Sequence, residues 1–321
     1  MDYKTGMYDI VLTIKKIGVI VVQKIESDGR EVQGAPFNIT VRRNYSAIAQ
    51  NQIQGQPIPN ATFKGVWGIA VDTRDNVYVV DTDEHSVLVF DSERQTQVRR
   101  ITCKQEGATL PFPRGVTITS NDEVAVVCNN LGRVQIFGKE SDDKPIEEVG
   151  EVGNGPAQLQ KPRGICLGPK NELVVVDTNN HRLQKINVET KQFQAIGARG
   201  KNPHQYFFPA SVAFFKDTYV VSDCDNHRVS LAKGDGATFN VFGGNGKGDG
   251  EFGRPTGVAV DAFGNIFVAD MDNNRIQVFD SKGTFITKFG DSQLNGPRGV
   301  AVDSTGKVFV ADFGNGRVVA F

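Results

Sequence analysis

The sequence is poor in cysteine, and no apolar run is long enough to cross a bilayer. Its 321 residues include four Cys, three Met and one Trp. Cys103, Cys128, Cys166 and Cys224 form no C-x-x-C pair and share no even spacing. That argues against a disulfide framework or a structural zinc, and for a reducing compartment. The apolar stretch IGVIVV at 17–22 is strand-sized, whereas a spanning helix needs about 18 residues. The N-terminus, MDYKTGMYD, has no basic n-region and no apolar h-region. No signal peptide is visible, so a cytoplasmic location and no membrane partner are expected. An excess of one charge sign is missing too, with 36 Lys+Arg against 37 Asp+Glu. Disorder needs low hydrophobicity and high net charge; 39% hydrophobic residues with 35 glycines instead suit a globular, turn-rich chain. No segment sustains a 3.6-residue apolar period, which leaves β-structure.

What is present is repetition. The turn PRGV and its variants recur as VWGI (66–69), PRGV (113–116), PRGI (162–165), PASV (209–212), PTGV (255–258) and PRGV (297–300). The third positions, Gly68, Gly115, Gly164, Ser211, Gly257 and Gly299, lie 42 to 49 residues apart. Such a period marks a propeller or an array. The fifth unit, GVAVDAFGNIFVADMDNNRIQVFDSKGTFITKFG at 257–290, shows the grammar: four β-branched or aromatic runs separated by Gly, Asn and Asp turns. Four antiparallel strands repeated six times predict an all-β, six-bladed β-propeller over 44–321.

The sixth unit ends at Phe321 after three strand-like runs. An open ring would leave an unpaired strand edge. NYSAIAQ at 44–50 repeats the aromatic spacing of other fourth strands, so residues ~44–50 are expected to pair with the last blade and close the ring. Residues 1–43 do not follow the blade grammar. They hold three strand-like runs, with turns at KKIG and SDGRE, and are near the lower size limit for an independent core. They are expected to be the tail of a larger β-sandwich.

DTNNHRLQKI (177–186), DCDNHRVSL (223–231) and DMDNNRIQVF (270–279) resemble NHL repeats. GMYDIVLTI, a glycine hairpin and then GAPFNITV (34–41) resemble the last strands of a filamin-type, immunoglobulin-like domain. Together they resemble the C-terminal architecture of the TRIM-NHL (tripartite motif) family. The resemblance implies a recognition module. Full-length relatives would carry zinc-binding RING and B-box domains with ubiquitin-ligase activity, and this chain has no such Cys/His clusters. Enzyme activity is therefore not expected of this chain.

Asp223, Cys224, Asp225, His227 and Arg228 offer the residue types of a zinc or Cys–His site. Set against the other five units, the Cys is unique, the His recurs only as His85 and His181, and the Asp and Arg recur in five of six. The pattern predicts an Asp ending strand two, a tight turn, and an Arg opening strand three. The three histidines belong to separate blades, too far apart to share a zinc that needs nitrogens at about 2.1 Å. The inner strands GIAVD, GVTIT, GICLG, SVAFF and GVAVD contain no His. No metal and no cofactor are expected. GGNGKGDGEFG (243–253), with Lys247, lacks the G-K-[ST] of a phosphate-binding loop and reads as an inter-blade connection.

Arg114, Arg163 and Arg298 occupy one repeat position, where Trp67, Ala210 and Thr256 stand in the other blades. Lys64, Lys161 and Arg254 lie within three residues upstream. Symmetry puts these side chains on one face, around the channel mouth. A basic ring with one aromatic suits an RNA loop or single-stranded element. Residues 45–321 carry 29 Lys+Arg against 32 Asp+Glu, so the footprint is local. The expected partner is structured RNA, for post-transcriptional regulation. The alternative is a protein substrate of a RING-type ubiquitin ligase, bound through an apolar patch of Trp67, Tyr206, Phe207 and Phe208.

Overall fold

The computed structural model describes residues 18–22, 26–27, 30–31, 37–41, 45, 55–59, 61–91, 93, 95–102, 111–139, 142, 144–234 and 238–321. Six four-stranded antiparallel sheets follow one another along the chain. Blade one contains Val66–Val71, Asn76–Asp81, Ser86–Asp91 and Gln97–Ile101. Blades two to six begin with Pro113–Ile118, Ile165–Leu167, Pro209–Phe215, Pro255–Val260 and Pro297–Val302. Each first strand is a blade's inner edge. Together these edges line a central channel of about 310 Å³.

Apolar runs such as VYVV, VAVV and LVVV do not alternate because both faces of each sheet are covered by a neighbour. Six apolar clusters fill the six blade boundaries. The cluster between blades six and one joins Val77, Val79 and Phe90 to Phe309 and Val318. Each such fully buried side chain contributes roughly 1.5–3 kcal/mol.

The recurring glycine of the entry turn has a steric cause. A Cβ on Gly68 would stand 2.5 Å from the Arg114 carbonyl oxygen, and one on Gly164 would stand 2.6 Å from Ser211 Cα. First strands converge there, so a side chain at Gly68 or Gly164 would collide with the next blade's backbone, while blade four accommodates Ser211.

Ring closure differs from expectation. The fourth strand of blade six is Gln56–Pro57, with Pro57 opposite Val319 and Gln56 opposite Ala320. The Ile58 N–H continues the ladder to the Val318 carbonyl at 3.0 Å. Proline is tolerated here because the strand is an outer edge. Of residues 44–50, only Tyr45 is among those described. It is buried between blades five and six, 4.9 Å from the Phe267 ring, and its hydroxyl donates to Asp261 Oδ2 at 3.1 Å. Its aromatic spacing imitated a strand, but its contacts are those of an anchor. In the N-terminal region, Gly18–Val22 pairs with Phe37–Val41, and Glu26–Ser27 with Arg30–Glu31. The filamin-type assignment of residues 1–43 lies largely outside the described residues.

Candidate functional site

In a blade's antiparallel order, the entry to strand one and the turn from strand two to strand three fall at the same end. Both therefore belong to one face. The aspartate ending strand two organises that face in five blades. Asp81, Asp177, Asp223, Asp270 and Asp312 are fully buried. Each carboxylate accepts backbone N–H groups from its blade's entry loop, as Asp270 does from Gly253 at 2.9 Å and Asp177 from Gln160 at 2.6 Å. In blades three to six it also accepts an asparagine three residues on and an arginine five residues on. The arginine then donates to entry-loop carbonyls; Arg275 reaches those of Lys247, Gly248 and Glu251, each at 2.8 Å. This is a scaffold that ties each entry loop to its blade.

The histidines complete it. His85, His181 and His227 stand in the left-handed region that closes each turn. Each reaches across a blade boundary. His181 Nδ1 accepts from the Phe208 N–H at 3.0 Å, and His227 Nδ1 hydrogen-bonds with the Gly253 carbonyl. Sequence comparison marked this position as optional. Its geometry makes it a tether, a duty shared by Asn274, which accepts from the Gly296 N–H at 2.7 Å. Cys224 is fully buried, and burial pushes its thiol up to about 11, away from nucleophilic use. Among the described residues, no group of three or more His, Cys, Asp or Glu could hold a metal ion.

The charged feature of this face is the channel mouth. Trp67, Arg114, Arg163 and Arg298 line it. The guanidinium carbons of Arg114 and Arg298 lie 3.5 and 3.6 Å from the centroid of Trp67. Two groups that close to one ring must occupy its opposite faces, so the indole is clamped between two cations. Arg298 also lies 3.4 Å from the Phe313 ring, and Arg163 stands 6.0 Å from Trp67. Among the described residues no carboxylate approaches the Arg114, Arg163 or Arg298 guanidinium within 4.0 Å, and Arg298 Nε is buried without a hydrogen-bond partner. Burial, then Arg114, Arg163 and Arg254, pulls Arg298 down to about 9; burial, then Arg163, pulls Arg114 down to about 10. Both stay charged at neutral pH, in mutual repulsion.

The other basic residues singled out from the sequence have polar partners of their own. Lys64 pairs with Glu84, and Arg254 with Asp225 at 3.5 Å. Lys161 donates to Asn130 Oδ1 at 2.7 Å. Tyr206 is fully buried and so cannot belong to a surface patch; Phe207 and Phe208 are half-buried. The Phe313 contact was missed because Phe313 follows the blade-six aspartate, where other blades carry Thr, Asn, Cys or Met.

The NHL repeat model matches residues 63–90, 159–186, 252–279 and 294–321, each from the entry loop through the third strand. These are blades one, three, five and six. The chain is 28% identical over 176 residues to Protein brain tumor of Drosophila melanogaster, covering 53% of this chain and 17% of that protein. It is 54% identical over 35 residues to Protein lin-41 of Caenorhabditis elegans, covering 11% of this chain and 3% of that protein. The chain thus spans a small part of these relatives. Among solved structures, virginiamycin B lyase from Staphylococcus aureus matches at a TM-score of 0.57 and 15% identity, covering 84% of this chain and 87% of that one. That likeness concerns the fold alone. Matched in four of its six blades, the chain is an all-β, six-bladed propeller with NHL repeats.

Proposed function

We propose that the channel-mouth face binds RNA, and that the chain is the target-selecting part of a TRIM-NHL-like cytoplasmic protein acting in post-transcriptional regulation. One observation carries this reading: Arg114, Arg163 and Arg298 converge with no carboxylate among the described residues within 4.0 Å of their guanidinium groups, and two of them clamp an indole. Self-repelling cations held in place are stabilised by an anion, and a flat aromatic surface beside them suits nucleobases. Arg114→Glu, Arg163→Glu and Arg298→Glu together should abolish RNA retention on a filter and flatten the salt dependence of what remains. Unchanged affinity and slope would refute the assignment.

A second reading, a protein-recognition module of a ubiquitin ligase, draws support from the 40% exposure of Phe112 on the same face. It predicts partner capture that survives both RNase and high salt.

A further inference from the structure

Blade four departs from the repeat at the end opposite the channel mouth. Four residues after the entry glycine, blades one, five and six carry Asp72, Asp261 and Asp303, which close the turn into strand two. Asp261 accepts the Phe263 and Asn265 N–H groups at 2.9 and 2.8 Å, and Asp72 and Asp303 bond in the same way. Blade four has Phe215 at this position. Its turn is also one residue shorter. Residues 261–265 separate Val260 from its partner Ile266, whereas residues 215–218 separate Phe214 from Tyr219. Pairing continues to Phe215 and Thr218, and Lys216 turns the chain at a φ of +57°.

Beside this short turn lies a cavity of about 230 Å³, between blades four and five. Its floor is apolar: Val220, Leu231 and Ile266 are buried members of the core that joins these blades. The Phe215 side chain forms a wall, so close to Gly264 that a Cβ there would stand 3.0 Å from the ring. Exposed Ser281 stands at the rim. Lys233, also at the rim, is neutralised by Asp217 at 2.9 Å. Lys216 is not. Its Nζ lies 5.0 Å from the Phe215 ring, and among the described residues no carboxylate comes within 4.0 Å of it. The turn needs a positive φ, which Gly, Asn and Asp adopt most easily, so the backbone gives no reason for a lysine.

Drug-sized ligands fill about 300–1,000 Å³, so this cavity is sized for a single side chain. Buried aromatic anchors in such pockets carry much of the binding energy at protein interfaces. An apolar floor, an aromatic wall and one unneutralised cation select an aromatic side chain with a carboxylate beside it. We propose that the cavity is a docking site for a protein partner, which inserts one aromatic side chain from an acidic segment and sets a flanking carboxylate on Lys216. The site faces away from the channel-mouth arginines and stays accessible when they are occupied. It does not depend on the RNA reading.

The test titrates the full chain, with isotope-labelled methyl groups, with three capped peptides: Glu-Glu-Phe-Glu-Glu, Glu-Glu-Ala-Glu-Glu and Lys-Lys-Phe-Lys-Lys. The first should shift the methyl resonances of Val220, Leu231 and Ile266. The other two should bind at least about tenfold more weakly, having lost the anchor or the charge match. Lys216→Glu should weaken the acidic peptide about fivefold, the upper range of an exposed ion pair, and Lys216→Arg should retain it. Ser281→Trp, at an exposed position, should fill the cavity mouth and abolish binding, while unchanged methyl spectra elsewhere exclude unfolding. If the acidic peptide shifts none of these methyls, if the lysine peptide binds as well, or if Lys216→Glu and Ser281→Trp both bind like the parent, the docking site falls. A fluorescent single-stranded RNA should bind both variants as it binds the parent. Loss of RNA binding in them would overturn the assignment of this face to a protein, whereas RNA binding that survives the channel-mouth arginine variants would refute the RNA reading alone.

Discussion

Arg275→Met should be the costliest of the equivalent substitutions in the Asp–Arg scaffold. The Arg275 side chain is 3% exposed, its Nε donates to Asp270 Oδ2 at 2.9 Å, and its other nitrogens satisfy three carbonyls. Methionine keeps the bulk but leaves the fully buried Asp270 carboxylate without its cation. Breaking a buried pair from one side costs about 3–5 kcal/mol. In a domain of this size each kcal/mol lowers Tm by roughly 2–4 °C, so the loss should be on the order of 10 °C. The same change at Arg182 or Arg228, whose side chains are 14% and 16% exposed, should cost less, and at Arg317, 35% exposed, least. Urea unfolding of the four single variants tests both magnitude and order. A cost below about 1 kcal/mol at Arg275, the range of exposed pairs, would show that backbone donors alone stabilise the aspartate and that the arginine is dispensable.

Two further predictions concern packing and pH. Gly68→Ala forces a methyl to 2.5 Å from the Arg114 carbonyl oxygen, and should destabilise by about 1–3 kcal/mol in chemical unfolding, as overpacking does. Burial, then Arg199, holds His181 below its ordinary value, and its neutral Nδ1 accepts from the Phe208 N–H. Since the unfolded state takes up the proton first, this contribution is fully present above the unfolded value of about 6.5 and is lost as pH falls through the folded one. His181→Asn should flatten the stability profile in that acidic window, measured by unfolding between pH 5 and 8.

The blade count and blade boundaries were legible because each blade repeats the same steric and hydrogen-bonding problem, with glycine at the convergence and aspartate under the entry loop. The arginine position was legible for the same reason. Closure was not. Gln56–Pro57 is two residues long, too short to carry a period, and its partner strand lies at the other end of the sequence. The pairing state of each cation was equally hidden. Lys64 and Arg298 look alike as basic residues of the entry, yet Glu84 neutralises one and the other is pressed between two rings. The burial of Tyr206 against Val174, Val176 and Val221 depends on a neighbouring blade that its local sequence does not name.

Synthesis runs from the closing strand towards its partner. Gln56–Pro57 is made before all six inner strands, and the strand it pairs with, Arg317–Ala320, only after them. During elongation each new blade finds its predecessor already present. The outer flank of blade one, with Val77, Val79 and Phe90, must wait for Phe309 and Val318. That apolar flank is the part of the nascent chain most open to wrong partners, since such incomplete species aggregate readily. Arg317–Ala320 thus converts an open, adhesive arc into a closed ring.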